Sequence, residues 1–270
     1  GVDTSGVVRG KGRVGIYFLE TGASQRGSKV VYDRAGSSIA LAHPGDIDWE
    51  RVLEGAVWFH VTGITPAISE SAAELTMEAV CKARAAGITV SCDLNYRKNL
   101  WKWGKAAPEV MRELTALADI AIGNEEDVQK ALGIASAADV EAGQVESKLY
   151  EELTARVMAA YPNLTAVAIT LRVSRSASHN GWSACLRDRD GFILSRSYEI
   201  THIVDRVGTG DSFAAGLIYG FQCLPSRRDA LEFAVAASCL KHSVPGDFHR
   251  ISVDEVNALL KDGGSGRVQR

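Results

Sequence analysis

The residues best suited to chemistry form a short run in which a glycine turn leads into a helical pattern. Residues 205–216 are Asp-Arg-Val-Gly-Thr-Gly-Asp-Ser-Phe-Ala-Ala-Gly, and apolar residues then recur at helical spacing. A glycine turn at a helix N-terminus leaves backbone N–H groups free, and the helix dipole adds partial positive charge there. We therefore predict an anion site suited to a phosphoryl group, formed by the backbone amides of residues 208–211, which include Gly208, Thr209 and Gly210.

Asp211 lies in the first turn of the predicted helix, beside that anion site. A carboxylate at this place can accept the proton of a hydroxyl while backbone amides hold a phosphoryl group in transfer. Asp is also common at helix starts, where it merely caps free amides. Spacing alone leaves both interpretations of Asp211 open.

Alternating strand and helix patterns predict the scaffold that positions Asp211. Apolar strand runs occupy residues 57–61, 88–92, 119–122 and 166–170, and amphipathic helix patterns occupy residues 71–87, 108–118 and 146–160. Such alternation predicts an α/β fold with a doubly wound, mostly parallel sheet between helices. The run at 57–61 is almost wholly apolar, as expected of a strand buried on both faces.

The last third of the chain predicts a hairpin followed by helices. Residues 182–187 and 192–199 have the composition of paired strands around Arg189-Asp190-Gly191. Helix patterns follow near residues 209–222, 227–242 and 253–260. Residues 133–145 are predicted to be a loop, and the tail from Gly263 is predicted to be mobile.

The N-terminal part of the chain has a different pattern. Residues 14–19 and 29–32 are short runs of β-formers separated by Gly and Ser, and they predict an antiparallel pair. We interpret residues 12–40 as a small β lid on a single α/β domain spanning residues 1–270.

Polar residues follow the predicted strands at the points where the strands end. In doubly wound sheets, ligands bind beyond the carboxyl ends of the strands. The residues expected to share this rim are Asp93, Asn95, Asn124 and Thr170. Arg97 follows the same strand as Asp93, which we expect to orient it, and a guanidinium holds carboxylates or phosphates in a bidentate fork.

Composition excludes several classes of protein. The formal net charge of −3 gives no sign of nucleic acid as the main partner, and no apolar run approaches the roughly 18 residues of a membrane span. The 5 cysteines are widely spaced without a C-x-x-C pair, which predicts reduced thiols in a cytoplasmic protein. No G-x-x-x-x-G-K-[ST] occurs, and no G-x-G-x-x-G follows an early strand, which argues against P-loop kinases and dinucleotide oxidoreductases.

The run from Asp205 to Phe213 resembles the signature of the ribokinase-like (PfkB-type) carbohydrate kinases, D-x-x-G-[AG]-G-D-x-F. The resemblance implies a ribokinase-like fold, ATP as phosphoryl donor, the turn of residues 208–211 as the anion hole and Asp211 as the catalytic base. Thr209 replaces the usual Ala or Gly, and a β-branched residue disfavours unusual backbone dihedrals. We expect either lower activity or a turn that is already helical at Thr209.

Four further segments resemble the 2-keto-3-deoxygluconate kinases within that family: residues 15–20, 31–37, 93–101 and 124–127. This resemblance implies phosphorylation of a sugar acid at its primary hydroxyl. It places Tyr17, Tyr32 and Arg34 on the lid side of the substrate site, and Arg97 at the sugar or a phosphate. Family members often pair through their lid sheets, which implies a homo-oligomer here as well.

The family resemblance also implies sites for the nucleotide and for Mg²⁺. The implied nucleotide contacts are Asn95, Asn124, Thr170, Gly208, Gly210 and Ser238, with a polar loop over residues 174–180 near ATP. The family's N-x-x-E, which positions Mg²⁺ largely through water, matches Asn124 to Asp127, with the shorter Asp at its end and Glu126 as the alternative. The plain structural alternative is an N-cap followed by acids at a helix start.

Two further alternatives remain open from the sequence. One is another sugar kinase of the family, acting on fructose, ribose or a similar sugar. The other is a nucleotide- or sugar-binding fragment without turnover, because the family's first strand and its N-terminal Gly-rich sugar-binding motif are not found from Gly1 onwards. On that interpretation, the chain is N-terminally incomplete and poorly stable or inactive by itself.

Overall fold

A computed structural model of the chain describes residues 1–135 and 147–262. The predicted loop at 133–145 lies largely outside these ranges, and the predicted tail from Gly263 lies wholly outside them. The strands are β1 (Ile16–Glu20), β2 (Lys29–Asp33), β3 (Trp58–Thr62), β4 (Thr89–Asp93), β5 (Ile120–Gly123), β6 (Ala166–Ser176), β7 (His179–Asp188), β8 (Phe192–Leu194) and β9 (Tyr198–Ile200). The helices are α1 (Trp49–Val52), α2 (Ile64–Ile68), α3 (Glu70–Ala85), α4 (Ala107–Ala116), α5 (Glu125–Leu132), α6 (Ser147–Ala160), α7 (Thr209–Cys223), α8 (Arg227–Lys241) and α9 (Val253–Asp262).

The main sheet confirms the predicted α/β fold class. Its strand order is β3-β4-β5-β6-β7-β8, with β9 also paired to β7. Strands β3 to β6 are parallel, and β7 runs antiparallel to β6, β8 and β9. The carboxyl ends of β4, β5 and β6 therefore meet at one edge of the sheet, as the sequence predicts.

Helices cover both faces of this sheet, and the strand side chains alternate between two cores. Val167 and Ile169 of β6 belong to the core shared with α3, α4, α5 and α6. Ala166 and Ala168 face the other core, where they join Phe213 of α7. This period of two places α7 directly against the sheet.

Helix α7 also packs closely on α8, because glycines form the contact. A Cβ on Gly216 would lie 2.9 Å from the Cα of Ala234, and a Cβ on Gly220 would lie 2.6 Å from the Cα of Ala230. Larger side chains would separate the two helices. The contact fixes where α7 begins relative to the sheet.

The predicted antiparallel pairing of β1 and β2 is confirmed, with Tyr17 of β1 opposite Tyr32 of β2. The predicted hairpin around residues 189–191 is also present, joining β7 to β8, and Gly191 adopts φ +147° there. In the described part of the chain, no helix is long and apolar enough to cross a bilayer.

Two local predictions are wrong, and one helix begins a residue earlier than predicted. Strand β3 pairs only with β4 among the described residues, and Val57 beside it is 70% exposed, so this run is not buried on both faces. Most of the predicted polar loop at 174–180 is strand: residues 174–176 end β6, residues 179–180 begin β7, and only residues 177–178 form the turn between them. Helix α3 begins at Glu70, and its N-cap is Ser69, whose side chain accepts a hydrogen bond from the Ala72 amide.

Candidate active site

A cleft of about 410 Å³ lies between the lid, the carboxyl ends of the central strands and the start of α7. It brings together most of the residues that the sequence predicts: Tyr17, Tyr32, Arg34, Asn95, Arg97, Asn124, Asp127, Thr170, Gly208, Thr209, Gly210 and Asp211. Two predicted residues, Glu126 and Ser238, are not among those that line it. Segments more than a hundred residues apart in sequence thus form one site.

The start of α7 offers unused backbone donors to this cleft. Gly208 is the N-cap residue, and the first bond of the helix runs from the Ser212 amide to the Gly208 carbonyl at 2.8 Å. Within the described residues, the amides of the three residues between them, 209–211, have no acceptor. Three free N–H groups at the positive end of a helix are the arrangement that the sequence predicts for an anion site.

The geometry of this turn depends on glycine at position 208. Gly208 has φ +75°, and a Cβ there would lie 2.5 Å from the carbonyl oxygen of Asp247. Thr209 is already helical, and its hydroxyl donates to the Arg206 carbonyl at 3.0 Å. The left-handed conformation therefore falls on glycine, and Thr209 fits the turn without strain.

The Asp211 carboxylate is available for chemistry. Asp211 is exposed and lines the cleft. Helix α7 has no side-chain cap, and the carboxylate accepts no hydrogen bond from the described residues. The capping interpretation of Asp211 therefore lacks the contact that it requires, whereas the chemical interpretation has an open carboxylate beside three free amides.

Ser238 contacts the turn from α8, on the side away from the cleft. It is fully buried, and its hydroxyl donates to the Thr209 carbonyl at 2.7 Å. The predicted nucleotide contact of Ser238 is therefore wrong for this conformation. Its position follows from the close packing of α8 on α7, for which the sequence offers no local signal.

The segment from Asn124 to Asp127 forms a capping box at the start of α5. The Asn124 side chain accepts from the Asp127 amide, and Asp127 accepts from the amides of Asn124 and Tyr96, at 2.8 to 2.9 Å. Burial raises the pKa of Asp127 above its usual range. Glu126 is exposed on the outer side of the helix, so the alternative metal contact assigned to Glu126 has no support in this geometry.

Asp93 is a buried carboxyl that lines the cleft, and the only role predicted for it was to orient Arg97. Burial raises its pKa to about 8, and the nearby carboxylates of Asp127 and Asp211 add to this effect. Its Oδ1 accepts from the Asn95 amide at 3.1 Å. The positive charge of Arg97 opposes the increase in pKa, which agrees with the predicted pairing of Asp93 with Arg97.

Four guanidinium groups line the same cleft: Arg34, Arg97, Arg172 and Arg206. Arg34 lies 4.9 Å from the ring centroid of Tyr32, in a cation–π contact. Arg206 donates to the Ser176 carbonyl at 2.8 Å and to Asn180 at 3.2 Å. Arg172 and Arg206 were not predicted as site residues, although Arg206 belongs to the 205–216 run. The cleft is suited to anionic ligands.

Hydrogen bonds connect the lid to the rest of the domain beside the predicted anion site. The Tyr17 hydroxyl donates to the Asp247 carboxylate at 3.2 Å, and burial together with that carboxylate raises the Tyr17 pKa. At the far end of the lid, the Ala177 amide donates to the Ser24 carbonyl at 2.7 Å. Asp247 thus contacts both the lid and the turn at Gly208.

The family of the chain follows from comparison with known proteins. The model of the pfkB family carbohydrate kinases matches residues 1–250. The chain belongs to this family. It is therefore a sugar kinase, and kinases of this family use ATP as phosphoryl donor.

Individual relatives of this kinase are sugar-acid kinases. The crystal structure of 2-dehydro-3-deoxygluconokinase from Thermotoga maritima is 46% identical with a TM-score of 0.88, over 96% of this chain and 76% of that one. The 2-dehydro-3-deoxygalactonokinase of Haloferax volcanii is 29% identical over 94% of this chain and 72% of its own length. The 2-dehydro-3-deoxygluconokinase of Bacillus subtilis is 28% identical over the same shares, 94% and 72%.

Proposed function

We propose that this kinase transfers the γ-phosphoryl group of ATP to the primary hydroxyl of 2-keto-3-deoxygluconate, the sugar acid also called 2-dehydro-3-deoxygluconate. The observation that carries the proposal is the pairing, in one cleft, of three free amides at residues 209–211 with the open carboxylate of Asp211. These two groups are what phosphoryl transfer to a hydroxyl needs.

In the proposed reaction, the substrate hydroxyl oxygen attacks the γ-phosphorus in line with the leaving ADP oxygen. A new P–O bond to the sugar forms while the bond to ADP breaks. The hydroxyl proton passes to the Asp211 carboxylate, and the amides of residues 209–211 hold the negative charge of the phosphoryl oxygens.

The guanidinium groups favour a sugar acid over a neutral sugar. A carboxylate accepts a bidentate pair of hydrogen bonds from one guanidinium, which a hydroxyl cannot reproduce. We assign the substrate carboxylate to Arg34, whose guanidinium is held over Tyr32 in the lid. Arg97, at the end of β4, is assigned to the sugar or a phosphate. A second candidate substrate is the epimer 2-keto-3-deoxygalactonate, because the Haloferax volcanii relative is a 2-dehydro-3-deoxygalactonokinase.

Mg²⁺ fits this cleft as an ion held largely through water. Among the described residues, no group of three or more acidic, His or Cys side chains is close enough to bind a metal directly. Mg²⁺ keeps several waters and commonly takes few protein ligands. We assign these water-mediated contacts to Asn124 and Asp127, which line the cleft. When bound, the ion neutralises phosphate charge.

Asp211→Asn tests the proposed base. A coupled ADP-release assay should show kcat lowered by about 10²–10⁴-fold, with nucleotide affinity retained. The matched control is Asp229→Asn, because Asp229 is the third residue of α8 as Asp211 is of α7, but accepts from its cap Ser226 outside the cleft. Near wild-type turnover by the Asp211 variant would exclude Asp211 as the base.

A substrate panel tests the choice of sugar. We expect phosphorylation of 2-keto-3-deoxygluconate and, as second candidate, 2-keto-3-deoxygalactonate, with far slower turnover of fructose, ribose and adenosine. Arg34→Gln should raise the KM of the acids and leave that of fructose unchanged. If fructose or ribose is the best substrate, the kinase is one of the neutral-sugar members of the family; absence of turnover with all five supports a binding function.

We further propose that the lid mediates self-association. Phe18 on β1 and Val31 on β2 are 60% and 50% exposed in neighbouring strands, and a two-stranded sheet is marginally stable alone. A second copy of the chain is the occupant that the family resemblance suggests. Light scattering should give a dimer for the wild type and a monomer for Phe18→Ser; a monomeric wild type at assay concentration would contradict the proposal.

The cysteines support a reducing compartment, and we propose the cytoplasm. All 5 cysteines are free in the structure, and the Cys92 and Cys185 thiols are buried. Titration of the denatured protein, purified without reductant, should find every thiol reactive. A lower count would indicate disulfide formation and contradict this assignment.

A further inference from the structure

A buried cation lies directly behind the anion turn and has no part in the proposed chemistry. Lys241, the last residue of α8, has 0% exposure. Its ammonium donates to the carbonyls of Val244 at 3.0 Å and Gly246 at 2.6 Å. Because removing an ammonium from water is costly, a buried lysine needs a compensating role in the structure.

The loop that the ammonium holds is bonded to the segment that leads into the turn. The Gly246 amide donates to Asp205 Oδ2 at 2.8 Å, and Asp205 Oδ1 accepts from the Val207 amide at 3.0 Å. The His242 carbonyl accepts from the amides of Val204 and Asp205. A continuous set of hydrogen bonds thus runs from Lys241 to the residue before Gly208.

The same loop also limits the turn sterically. The Asp247 carbonyl lies so close to Gly208 that only a hydrogen fits between them. The charges of Asp205 and Asp247 both favour the protonated form of Lys241, although burial lowers its pKa. Loss of the ammonium would leave the Val244 and Gly246 carbonyls without this charged donor and the two carboxylates without their nearby cation, so the loop would move.

We propose that Lys241 is a positioning residue of the kinase reaction. Its ammonium fixes the loop of residues 242–247 against residues 205–208, and thereby fixes the amides of residues 209–211 at the phosphoryl group. This inference rests on the proposed function of the turn. It predicts a loss in kcat rather than in sugar affinity, because the amides act on charge that develops during transfer.

Two substitutions separate the charge of Lys241 from its volume. Lys241→Met keeps an unbranched chain of similar size without the ammonium, and kcat should fall about 10- to 100-fold with the sugar KM little changed. Lys241→Ala also removes the chain and opens a hole lined by carbonyl oxygens. Ammonium chloride should therefore restore part of the activity of Lys241→Ala and none of that of Lys241→Met. Lys82→Met, on the exposed face of α3, is the control.

Hydrogen exchange gives a measurement that does not depend on turnover. Peptides covering residues 203–212 and 242–250 should exchange faster in Lys241→Met than in the wild type and in Lys82→Met. The inference would be overturned if Lys241→Met keeps a kcat within twofold of the wild type, or if both peptides exchange at the wild-type rate in that variant. It would also be overturned if Lys241→Ala folds but ammonium chloride does not raise its activity. If Lys241→Ala does not fold, Lys241→Met alone decides. An inactive wild type with faster exchange in the variant would instead refute the proposed function and leave the role of Lys241 in the turn intact.

Discussion

Adding one methyl group to the anion turn is predicted to have opposite effects on stability at its two glycines, Gly208 and Gly210. Gly208 has φ +75°, and its missing Cβ would lie 2.5 Å from the Asp247 carbonyl oxygen. Gly210 has no positive φ, and a Cβ there meets nothing within 4 Å. Gly208→Ala and Gly210→Ala therefore form a matched pair within three residues.

The cost of Gly208→Ala has two parts. A left-handed conformation costs an L-residue about 1–2 kcal/mol. The overlap with the Asp247 carbonyl requires the loop or the turn to move, and such overpacking costs typically about 1–3 kcal/mol. The sum, about 2–5 kcal/mol, corresponds to a melting temperature lowered by about 4–20 °C for a chain of this size.

Gly210→Ala should leave the fold intact and affect only the reaction. Replacing Gly by Ala inside a helix contributes up to about 1 kcal/mol of stability, and less in the first turn. The added methyl projects into the open space beside the free amides, where the phosphoryl group is proposed to bind. We expect kcat/KM to fall about 10²- to 10³-fold, the loss seen when one oxyanion donor is removed.

Differential scanning calorimetry and the ADP-release assay, applied to both variants and the wild type, measure the two effects separately. Gly208→Ala should lose both stability and activity, whereas Gly210→Ala should lose activity alone. A Gly208→Ala protein that melts with the wild type would refute the description of this turn. A fully active Gly210→Ala protein would refute the proposal that phosphate binds at these amides.

Two further predictions concern the floor and the lid of the cleft. The pKa of Asp93 is raised to about 8 from an ordinary 3.8, so the folded protein retains a proton that the unfolded chain has lost, and stability falls as pH rises between these values. Urea titrations without divalent cations should show that the free energy of unfolding of Asp93→Asn declines less with pH and exceeds that of the wild type at pH 8. If the two proteins lose stability in parallel as pH rises, the raised pKa is not that of Asp93. Tyr17→Phe loses the bond to Asp247, and sugar KM should rise about fivefold, equivalent to about 1 kcal/mol, at constant melting temperature; an unchanged KM would show that the bond does not hold the lid.

The anion turn was predictable because its chemistry is local. The glycine at position 208, the carboxylate at 211 and the helical pattern that follows lie within a few residues, and short-range geometry decides what they form. The capping residue Asn124 was predictable for the same reason. Both sites depend on backbone groups within one turn of a helix.

Features set by distant packing were not predictable in the same way. Ser238 and Lys241 occupy one helix pattern with ordinary spacing, and only the contact of α8 with α7 and the following loop turns them towards the anion site. The apolar run of β3 indicates a preference for burial but not which strands flank it. In β6, residues 173–176 include two serines and an arginine, and their pairing with β7 outweighs their low strand preference.

The loop of residues 242–247 is where the lid and the reacting groups meet. Asp247 accepts a hydrogen bond from Tyr17 of the lid through its side chain, and its backbone carbonyl borders Gly208. Lys241 anchors the same loop through Gly246. Because one short segment carries all three contacts, we expect any movement of the lid that displaces Asp247 to change the position of the amides at residues 209–211 as well. Sugar binding and phosphoryl transfer are therefore expected to be coupled through this loop, and substitutions in the lid should alter kcat whenever they displace Asp247.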